Sequence, residues 1–363
     1  MPETTFPHIT DIDAMLQELP AAERERFEQI YKVSSTTGHL KAPAEMHDWI
    51  ERRFGSLEAV EAQSVVKITN LITLEGTLFG RLRASRPMQS RDRGELRADV
   101  ETSRGGHFCN PETQTPEDTF GRIRGKHCVT AGNLAKADGF HGLIIFNEHN
   151  PLQFSEESVR DYFQVALKWA KAAHNEDVDA RYFFLWWNCL WNSGASVIHG
   201  HAQMALTRDM HYPKIEHWRR SALLYRLGHG RNYFDDLVDV HTSLGLTQQI
   251  GNARILVNLA PIKEKELIVI SERPDKDFCK AVYLALDTLV NQLGTVSFSL
   301  GFYWPPIDSA DEDWTGFPAM VRIVDRGDIY NRTADMGSAE LFAISVVSRD
   351  PFDVARALRE NAG

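Results

Sequence analysis

The fold is decided by the stretch HGLIIFNEHNP (141–151), SEESVRDYFQVALKWAKAA (155–173) and RYFFLWWNCLW (181–191), whose patterns predict strand, helix and strand. The same order returns in KELIVISERPD (265–275), KDFCKAVYLALDTLVNQLG (276–294) and TVSFSLGFYW (295–304). Ile144 aligns with Ile268, an offset of 124 residues. Chance similarity between two common units is the alternative, but the like helix lengths favour duplication. We therefore expect an α+β fold with two tandem halves, each an antiparallel sheet with helices.

The third strand of each half differs in its chemistry. The first half continues with SVIHGHAQMAL (196–206) and the second with PAMVRIVDRGD (318–328), so the histidines occur in one half alone. On a strand, His199, His201 and Gln203 would alternate with small or apolar residues and form one polar row. Such a row is costly to bury without partners and should face a cleft. We expect this half to be the catalytic one.

The motif residues suit chemistry at a phosphate group. A largely neutral imidazole is a good nucleophile at phosphorus, and Gln203 can donate a hydrogen bond to a phosphoryl oxygen. The preceding turn, Asn192 to Ser196 with Gly194 inside it, brings backbone N–H groups close to an anion. A structural metal set and ordinary surface histidines are the alternatives for an HxH pair. The fixed spacing of Asn192, Gly194, Ser196 and Gln203 around the pair favours the functional interpretation.

The segment NSGASVIHGHAQ (192–203) resembles the N-x-G-x-x-x-x-H-x-H-x-Q signature of one branch of the histidine triad superfamily. This branch contains the galactose-1-phosphate uridylyltransferases and the diadenosine tetraphosphate phosphorylases. The resemblance implies two tandem HIT-like halves, His201 as the nucleophile that becomes nucleotidylated, and Gln203 and Ser196 at the transferred phosphoryl group. The terminal Gln is typical of transferases rather than hydrolases. Members are typically dimers, so a homodimer is expected.

Further segments extend the resemblance over about residues 106–350: GHFCNPETQTPED (106–118), GNLAKADGFHGLIIF (132–146), LIIFNEHNPLQF (143–154) and DMGSAELFAISVVSRDP (335–351). It implies that Asn133 contacts the nucleotide and that His141 orients the catalytic imidazole, with a satisfied core histidine as the alternative for His141. Cations that could neutralise substrate phosphates are Arg122, Arg124, Lys126, Lys263, Lys265, Arg322 and Arg326. Among these we single out Lys263 and Arg326 as substrate-binding candidates.

The chain departs from the uridylyltransferases at their zinc site. Gly106 stands where those proteins have the first Cys of a CxxC pair, which leaves Cys109, His149 and His199, with His107 as a conceivable substitute. A structural zinc site requires four ligands. We therefore expect no required cofactor and ordinary hydrogen bonding for Cys109 and His149. Zinc on an incomplete ligand set is the alternative.

The second departure concerns the nucleotide. The lead-in SGAS (193–196) is closer to the adenylyl-transferring phosphorylases than to the uridylyltransferases. We expect an adenylyl group to pass through His201 to inorganic phosphate, from adenylyl sulfate or a dinucleoside polyphosphate, giving ADP. An adenylylsulfate:phosphate adenylyltransferase falls within this prediction. The alternatives are a hexose-1-phosphate uridylyltransferase and a nucleotide sensor without catalysis.

Composition limits the remaining functions. The chain of 363 residues has a net charge of −10, so non-specific binding to nucleic acid is not expected. No apolar run has the ~18 residues of a membrane span. The four cysteines are far apart, which favours reduced thiols and a cytoplasmic location. The predicted domains are a helical N-terminal extension (1–63), the catalytic half (64–207), a helical connection (208–250) and the second half (251–363). Residues 85–106 are predicted to form a polar loop.

Overall fold

The computed structural model describes residues 7–83, 93–330 and 336–363. Its strands are β1 (Tyr31–His39), β2 (Ala62–Asn70), β3 (Gly76–Gly80), β4 (Cys128–Gly132), β5 (Phe140–Phe146), β6 (Tyr182–Cys189), β7 (His201–Thr207), β8 (Thr247–Ile250), β9 (Ala253–Val257), β10 (Leu267–Ser271), β11 (Phe298–Tyr303), β12 (Ala319–Asp325) and β13 (Ser345–Val346). Its α-helices are α1 (Ile12–Glu18), α2 (Ala21–Ile30), α3 (His47–Phe54), α4 (Leu57–Glu61), α5 (Arg93–Thr102), α6 (Pro111–Gln114), α7 (Glu156–Glu176), α8 (Pro213–His229), α9 (Tyr233–Ser243), α10 (Lys276–Asp287), α11 (Ser338–Phe342) and α12 (Pro351–Ala362).

A nine-stranded antiparallel sheet carries both predicted halves. Its order is β4-β5-β7-β6-β11-β12-β10-β9-β8. The first four strands belong to the first half, and the pair β6–β11 joins them to the second half, where β12, β10 and β9 follow in the mirrored order. The sheet confirms the α+β class with two tandem halves. It also makes one continuous surface out of two repeats.

Helices α7 and α10 cover one face of this sheet and pack against each other. Helix α7 begins at a capping box in which the Ser155 and Ser158 side chains each accept from the other residue's backbone N–H. Its inner face buries Trp169, and an ideal Cβ on Gly142 of β5 would lie only 2.7 Å from that indole ring. A glycine is therefore needed where β5 passes under the helix. The opposite face carries the histidine motif in the first half, and in the second half it is covered at Arg322 by Glu75 and by Trp218 of α8.

The N-terminal region is not wholly helical. The prediction of a helical extension at 1–63 is wrong for residues 31–39, which form β1 and pair with β2 from Tyr31↔Asn70 to His39↔Ala62. These strands belong to a second sheet of order β1-β2-β3-β13, and the predicted boundary at residue 63 falls inside β2. Pairing with a strand some 30 residues later stabilises β1, and local sequence does not show that partner.

The predicted loop at 85–106 is also partly wrong. Residues 93–102 form α5, and Leu96 and Val100 are buried in the main core. Residues 85–92 of that prediction lie outside the described residues. Within the described ranges, no helix combines the length and apolar character needed to cross a membrane.

Two buried histidines predict a loss of stability on acidification. His211 and His241 are 1% and 0% exposed, and burial lowers the pKa of each to about 4. Between pH 6.5 and 4 the two imidazoles bind protons in the unfolded chain but not in the folded chain. The free energy of unfolding therefore falls as the pH is lowered through this range. Each histidine should cost about 2 kcal/mol at pH 5. Urea unfolding at pH 7 and pH 5 measures this.

The variant His241→Gln removes one titrating group and should flatten the dependence of unfolding free energy on pH. His39→Gln changes an exposed histidine of β1 and serves as the matched control. An unchanged slope in His241→Gln would contradict the assignment.

Candidate active site

His201 is the first residue of β7, at the point where the chain enters the sheet. Backbone bonds hold the entry: Phe146 N–H donates to Gly200 O at 2.9 Å and Gly200 N–H to His149 O at 3.1 Å. An ideal Cβ on Gly200 would lie 2.7 Å from the Phe146 ring and 3.1 Å from Glu148 O. The residue between the two histidines must therefore be glycine for the strand to approach β5 so closely.

The His201 ring is fixed in one tautomer. Its Nδ1 lies 2.8 Å from the main-chain O of His199, and because a carbonyl can only accept, Nδ1 carries the proton. Burial lowers the pKa of His201, although the bond to His199 opposes this effect, so the ring is neutral at pH 7. The Nε2 lone pair has no partner among the described residues, and Nε2 is not one of their fully buried unpartnered atoms. It remains available to attack an electrophile.

The Gln203 carboxamide is oriented by its neighbours. Ala137 N–H donates to His141 Nδ1 at 2.9 Å, so the proton of neutral His141 lies on Nε2, which donates to Gln203 Oε1 at 3.0 Å. Asn133 Nδ2 approaches the same oxygen at 3.5 Å. If the Gln203 amide were flipped, its NH₂ group would point at the N–H groups of His141 and Asn133, which are themselves donors. Gln203 therefore turns its NH₂ group away from these residues and presents it to a ligand.

This arrangement corrects the role given to His141 by the resemblance. Its ring contacts Gln203, not His201, so it orients the amide rather than the imidazole. Burial lowers the pKa of His141, and the ring is 3% exposed. Asn133 lies beside the same amide, and its contact with the nucleotide stays a prediction.

His199 does not extend the predicted polar row, because β7 begins only at His201. Its Nε2–H donates to Phe146 O at 2.8 Å, so its Nδ1 carries a lone pair. His149 Nε2–H donates in the same way to Val100 O at 2.8 Å. The two Nδ1 atoms then lie 3.0 Å apart, each 3.4 Å from Cys109 Sγ. Two lone pairs at this separation repel unless a cation lies between them, and one thiol proton can serve only one of them.

The walls beside His201 differ in character. Towards β4 and β5 the wall is apolar: it consists of Val129, Ala131, Leu143 and Ile145, with Phe108 packed against them. The Phe108 ring lies edge-on to His201 with centroids 5.1 Å apart. Towards β6 the neighbour of Gln203 in the sheet is Trp186, whose ring lies 5.3 Å from that of His141. The apolar side has the chemistry of a nucleoside pocket.

The loop before the motif is tied to the second half. Asn192 Nδ2 donates to Asp328 O at 2.8 Å, so this side chain holds the loop rather than reaching the nucleophile. Gly194 has φ +97° and is exposed, as is Ser196. Asn188 follows the last β6–β7 pair, Trp186↔Gln203, by two positions and so lies on the same face, and its Nδ2 lies 3.6 Å from an ideal Cβ on Gly194. Sequence reasoning missed Asn188, although it alternates with Phe184 and Trp186 on β6.

Most of the predicted phosphate-binding cations are held within the fold. Arg122 donates to Thr115 O and Thr130 O, Arg124 pairs with Glu112, Lys126 with Glu157, Lys265 with Asp325, and Arg322 with Glu75 and Glu266. Lys263 precedes β10 and is only partly exposed. Arg326 donates from Nη1 to Ser299 Oγ at 3.0 Å. That contact brings it to the sheet face that carries His201.

Comparisons with known proteins support this architecture. The fold is similar to that of an ADP-glucose phosphorylase from Arabidopsis thaliana solved with bound ADP-glucose, with TM-score 0.62, 15% identity, and 80% of this chain and 97% of that chain covered. It is similar to a uridylyltransferase with TM-score 0.57, 13% identity, and 81% and 97% covered. A GalT-like protein from Arabidopsis thaliana gives TM-score 0.57, 16% identity, and 71% and 92% covered. The sequence itself matches no family model and no curated protein.

These likenesses confirm at the level of the fold the resemblance that the histidine motif predicted. The chain has the tandem α+β fold of the ADP-glucose phosphorylase and uridylyltransferase structures to which it is similar. Identities of 13–16% establish no more than this shared architecture.

Proposed function

We propose that the chain is a nucleotidyltransferase that moves an adenylyl group through a covalent intermediate on His201 to inorganic phosphate, forming ADP. One observation carries the proposal. The His201 Nδ1–H donates to His199 O, which leaves Nε2 as the nucleophile. Gln203 lies two residues further along β7, on the same face of the sheet, with its NH₂ group turned to a ligand. The nucleophile and a hydrogen-bond donor for the phosphoryl oxygens therefore lie side by side.

The reaction would proceed in two displacements at the α-phosphorus. His201 Nε2 attacks, a P–N bond forms, and the P–O bond to the leaving group breaks, the leaving group keeping its oxygen and electron pair. An oxygen of inorganic phosphate then attacks the same phosphorus, the P–N bond breaks, and ADP is released. The Gln203 Nε2–H groups stabilise the negative charge that develops on the phosphoryl oxygens in both steps.

The adenylyl assignment rests on the SGAS lead-in (193–196) and goes beyond the shared fold. The leaving group would be sulfate or a nucleotide polyphosphate. Adenylyl sulfate and diadenosine tetraphosphate are therefore the first donors to test. ADP-glucose belongs in the same panel because it was bound to a structural neighbour, and UDP-glucose tests uridylyl transfer.

The decisive experiment traps the intermediate. The protein is incubated without phosphate with each donor labelled at the α-phosphorus, and the adduct is located by peptide mass spectrometry. We expect acid-labile, alkali-stable label on His201, with the mass of AMP. A UMP adduct would select the uridylyltransferase alternative. If no donor labels the protein, the covalent mechanism is wrong and a nucleotide sensor is favoured.

A first prediction tests the orientation of Gln203. Gln203→Ala should lower kcat by about 10²- to 10³-fold, as for loss of one oxyanion donor. His141→Ala frees the amide to rotate and should lower kcat by about 10-fold with KM nearly unchanged. Pre-steady-state labelling of His201 measures both effects.

A double-variant cycle separates orientation from mere packing. In the Gln203→Ala background, His141→Ala should have no further effect on the labelling rate, because the amide that it orients is gone. His141→Gln keeps a donor towards Gln203 Oε1 and should restore part of the rate. Full additivity of the two alanine changes would rule out the orienting role.

We also propose that Cys109, His149 and His199 hold one zinc ion. Ligand atoms that share a tetrahedral zinc with bonds of 2.0–2.3 Å lie about 3.3–3.6 Å apart. The observed separations of 3.0, 3.4 and 3.4 Å are close to this. The ion would relieve the repulsion of the two imidazole lone pairs, and a water molecule would have to supply its fourth ligand. It would fix His199, whose carbonyl orients His201.

Metal analysis tests this proposal. Protein purified without chelators should contain about one zinc per chain, and Cys109→Ser should lose most of it. Cys279→Ser removes a buried thiol elsewhere and is the matched control. Cobalt-substituted protein should show a thiolate charge-transfer band that Cys109→Ser lacks. Equal zinc contents in both variants would contradict the site. The homodimer and the cytoplasmic location stay predictions.

A further inference from the structure

The face of the large sheet that carries His201 and Gln203 continues into the second half. On β6, Phe184, Trp186 and Asn188 are partly exposed while their neighbours on the strand are buried. Ser299, Gly301 and Tyr303 alternate in the same way on β11. The pairs Asn188↔Ser299 and Trp186↔Gly301 put both sets on one face, which is also the face of Gln203. The floor of the cleft is thus shared by the two repeats.

One row of this floor is polar and begins at the nucleophile. The β6–β7 register ends at Trp186↔Gln203, and continuing it by two positions places Asn188 on the side of His201. Asn188 in turn pairs with Ser299 on β11. Because neighbouring strands are about 4.8 Å apart, this row spans about 10 Å. Arg326 closes its far end with the 3.0 Å bond from Nη1 to Ser299 Oγ. An amide, a hydroxyl and a guanidinium follow one another away from His201.

The loops at this edge of the sheet bring the same residues together. Arg326 N–H donates to Ser297 O at 2.8 Å, which fixes the chain as it leaves β12. Two residues later, Asp328 O accepts from Asn192 Nδ2 at 2.8 Å, and Ile329 O accepts from Trp191 Nε1 at 2.9 Å. The segment that carries Arg326 is therefore fastened to the loop that precedes the histidine motif. Its guanidinium therefore contacts the floor of the cleft at Ser299, although the residue belongs to the other repeat.

The two sides of the nucleophile are complementary in chemistry. The apolar wall of β4 and β5 suits a nucleoside, whereas the row towards β11 offers hydrogen-bond donors and a positive charge. A displacement through a covalent intermediate uses one position twice, since the acceptor must attack from where the leaving group departed. In an in-line displacement that position lies across the phosphorus from His201 Nε2. With the nucleoside against the apolar wall, the polar row is the part of the floor that can bind a group there.

We propose that Asn188, Ser299 and Arg326 form an anion subsite for the tetrahedral oxyanion exchanged at His201, either free inorganic phosphate or the phosphoryl group of a departing polyphosphate. The inference rests on the proposed function for the position of the α-phosphate. Arg326 supplies charge-assisted hydrogen bonds to the oxyanion, and Ser299 holds the guanidinium in place. The second repeat, which lacks the histidines, thereby contributes to the site of the first.

Equilibrium binding tests the subsite without any chemistry. AMP and ADP are titrated into the wild-type protein and into Arg326→Gln, Arg326→Lys and Ser299→Ala by calorimetry, with UMP and UDP in parallel. We expect the wild type to prefer the diphosphate, and Arg326→Gln to reduce that preference about 10- to 100-fold with little change for the monophosphate. Arg208→Gln, which breaks a surface ion pair with Asp177, is the matched control and should leave the preference unchanged.

The half-reactions identify the source of the anion. A higher KM for phosphate in the release of the His201 adduct by Arg326→Gln indicates free phosphate, and slower labelling by diadenosine tetraphosphate indicates the leaving group. An unchanged diphosphate preference in folded Arg326→Gln and Ser299→Ala, with both half-reactions intact, overturns the subsite. An Arg326-dependent preference without any label on His201 keeps the subsite and rejects the covalent mechanism. Should Arg326→Gln fail to fold, the same outcomes are read from Ser299→Ala and Arg326→Lys.

Discussion

Replacing His201 by alanine should abolish turnover, with kcat lowered about 10⁴- to 10⁶-fold, as expected when a covalent nucleophile is removed. The reason is the ring geometry: Nδ1 is engaged with His199 O, and Nε2 is the nitrogen left for the phosphorus. No alternative imidazole takes over, because His199 uses its Nε2 on Phe146 O and directs Nδ1 at Cys109 and His149. Steady-state assays and adduct formation with a labelled donor measure the loss.

The His201 variants should remain folded, since the side chain makes one hydrogen bond and borders the cleft. Circular dichroism and thermal melting check this. His201→Gly creates room for free imidazole, which should restore some turnover without labelling the protein. His229→Ala, a change near the C-terminal end of α8, is the control and should behave as wild type. Turnover by His201→Ala at the wild-type rate would refute the assignment.

Replacing Arg322 by leucine should destabilise the fold by about 3–5 kcal/mol, the usual result of stripping one partner from a buried ion cluster. Arg322 Nη1 lies 2.8 Å from Glu75 Oε1, its Nη2 contacts Glu266, and its guanidinium lies 4.7 Å from the Trp218 ring centre. Burial raises the pKa of Glu266, which is 1% exposed and pairs with Arg322 inside the protein. Chemical denaturation at pH 7 measures the loss.

A compensating variant separates lost charge balance from lost packing. Adding Glu266→Gln to Arg322→Leu removes the stranded carboxylate and should recover part of the lost unfolding free energy. Arg208→Gln, at an exposed pair, should cost no more than about 1 kcal/mol. A loss of that small size for Arg322→Leu would show that the cluster contributes little to stability.

Arg322 also shows that the charge pattern of a sequence does not distinguish a buried structural arginine from one that reaches a cleft. Arg322 and Arg326 lie four residues apart, and the sequence offers both as phosphate-binding cations. The structure buries the first against Glu75, a residue 247 positions away in the turn between β2 and β3. The second reaches Ser299 on the cleft floor. No local pattern distinguishes them. Arg322 lies within β12, where Glu75 and the Trp218 ring of α8 cover it, whereas Arg326 follows the end of that strand.

The helices and strands of the two halves follow closely from local patterns. The predicted helix at 155–173 is observed as α7 (Glu156–Glu176), and the strands predicted in 141–151 and 181–191 are observed as β5 and β6. Long periodic segments with caps of their own are well specified by their own residues. β1 and α5 were missed because a distant strand stabilises one and core contacts stabilise the other.

By itself the sequence determined the tandem halves and the triplet of His199, His201 and Gln203, because strand periodicity and motif spacing are local properties of the chain. Tertiary structure alone decided what each of the three does. His141, 62 residues from Gln203, orients the Gln203 amide. His149, 50 residues from His199, contacts the His199 ring on the side of Cys109. Of the two motif imidazoles, only that of His201 has a ring nitrogen without a partner among the described residues. A tautomer or an amide orientation depends on the hydrogen-bond partner at the other end, and that partner is supplied by folding.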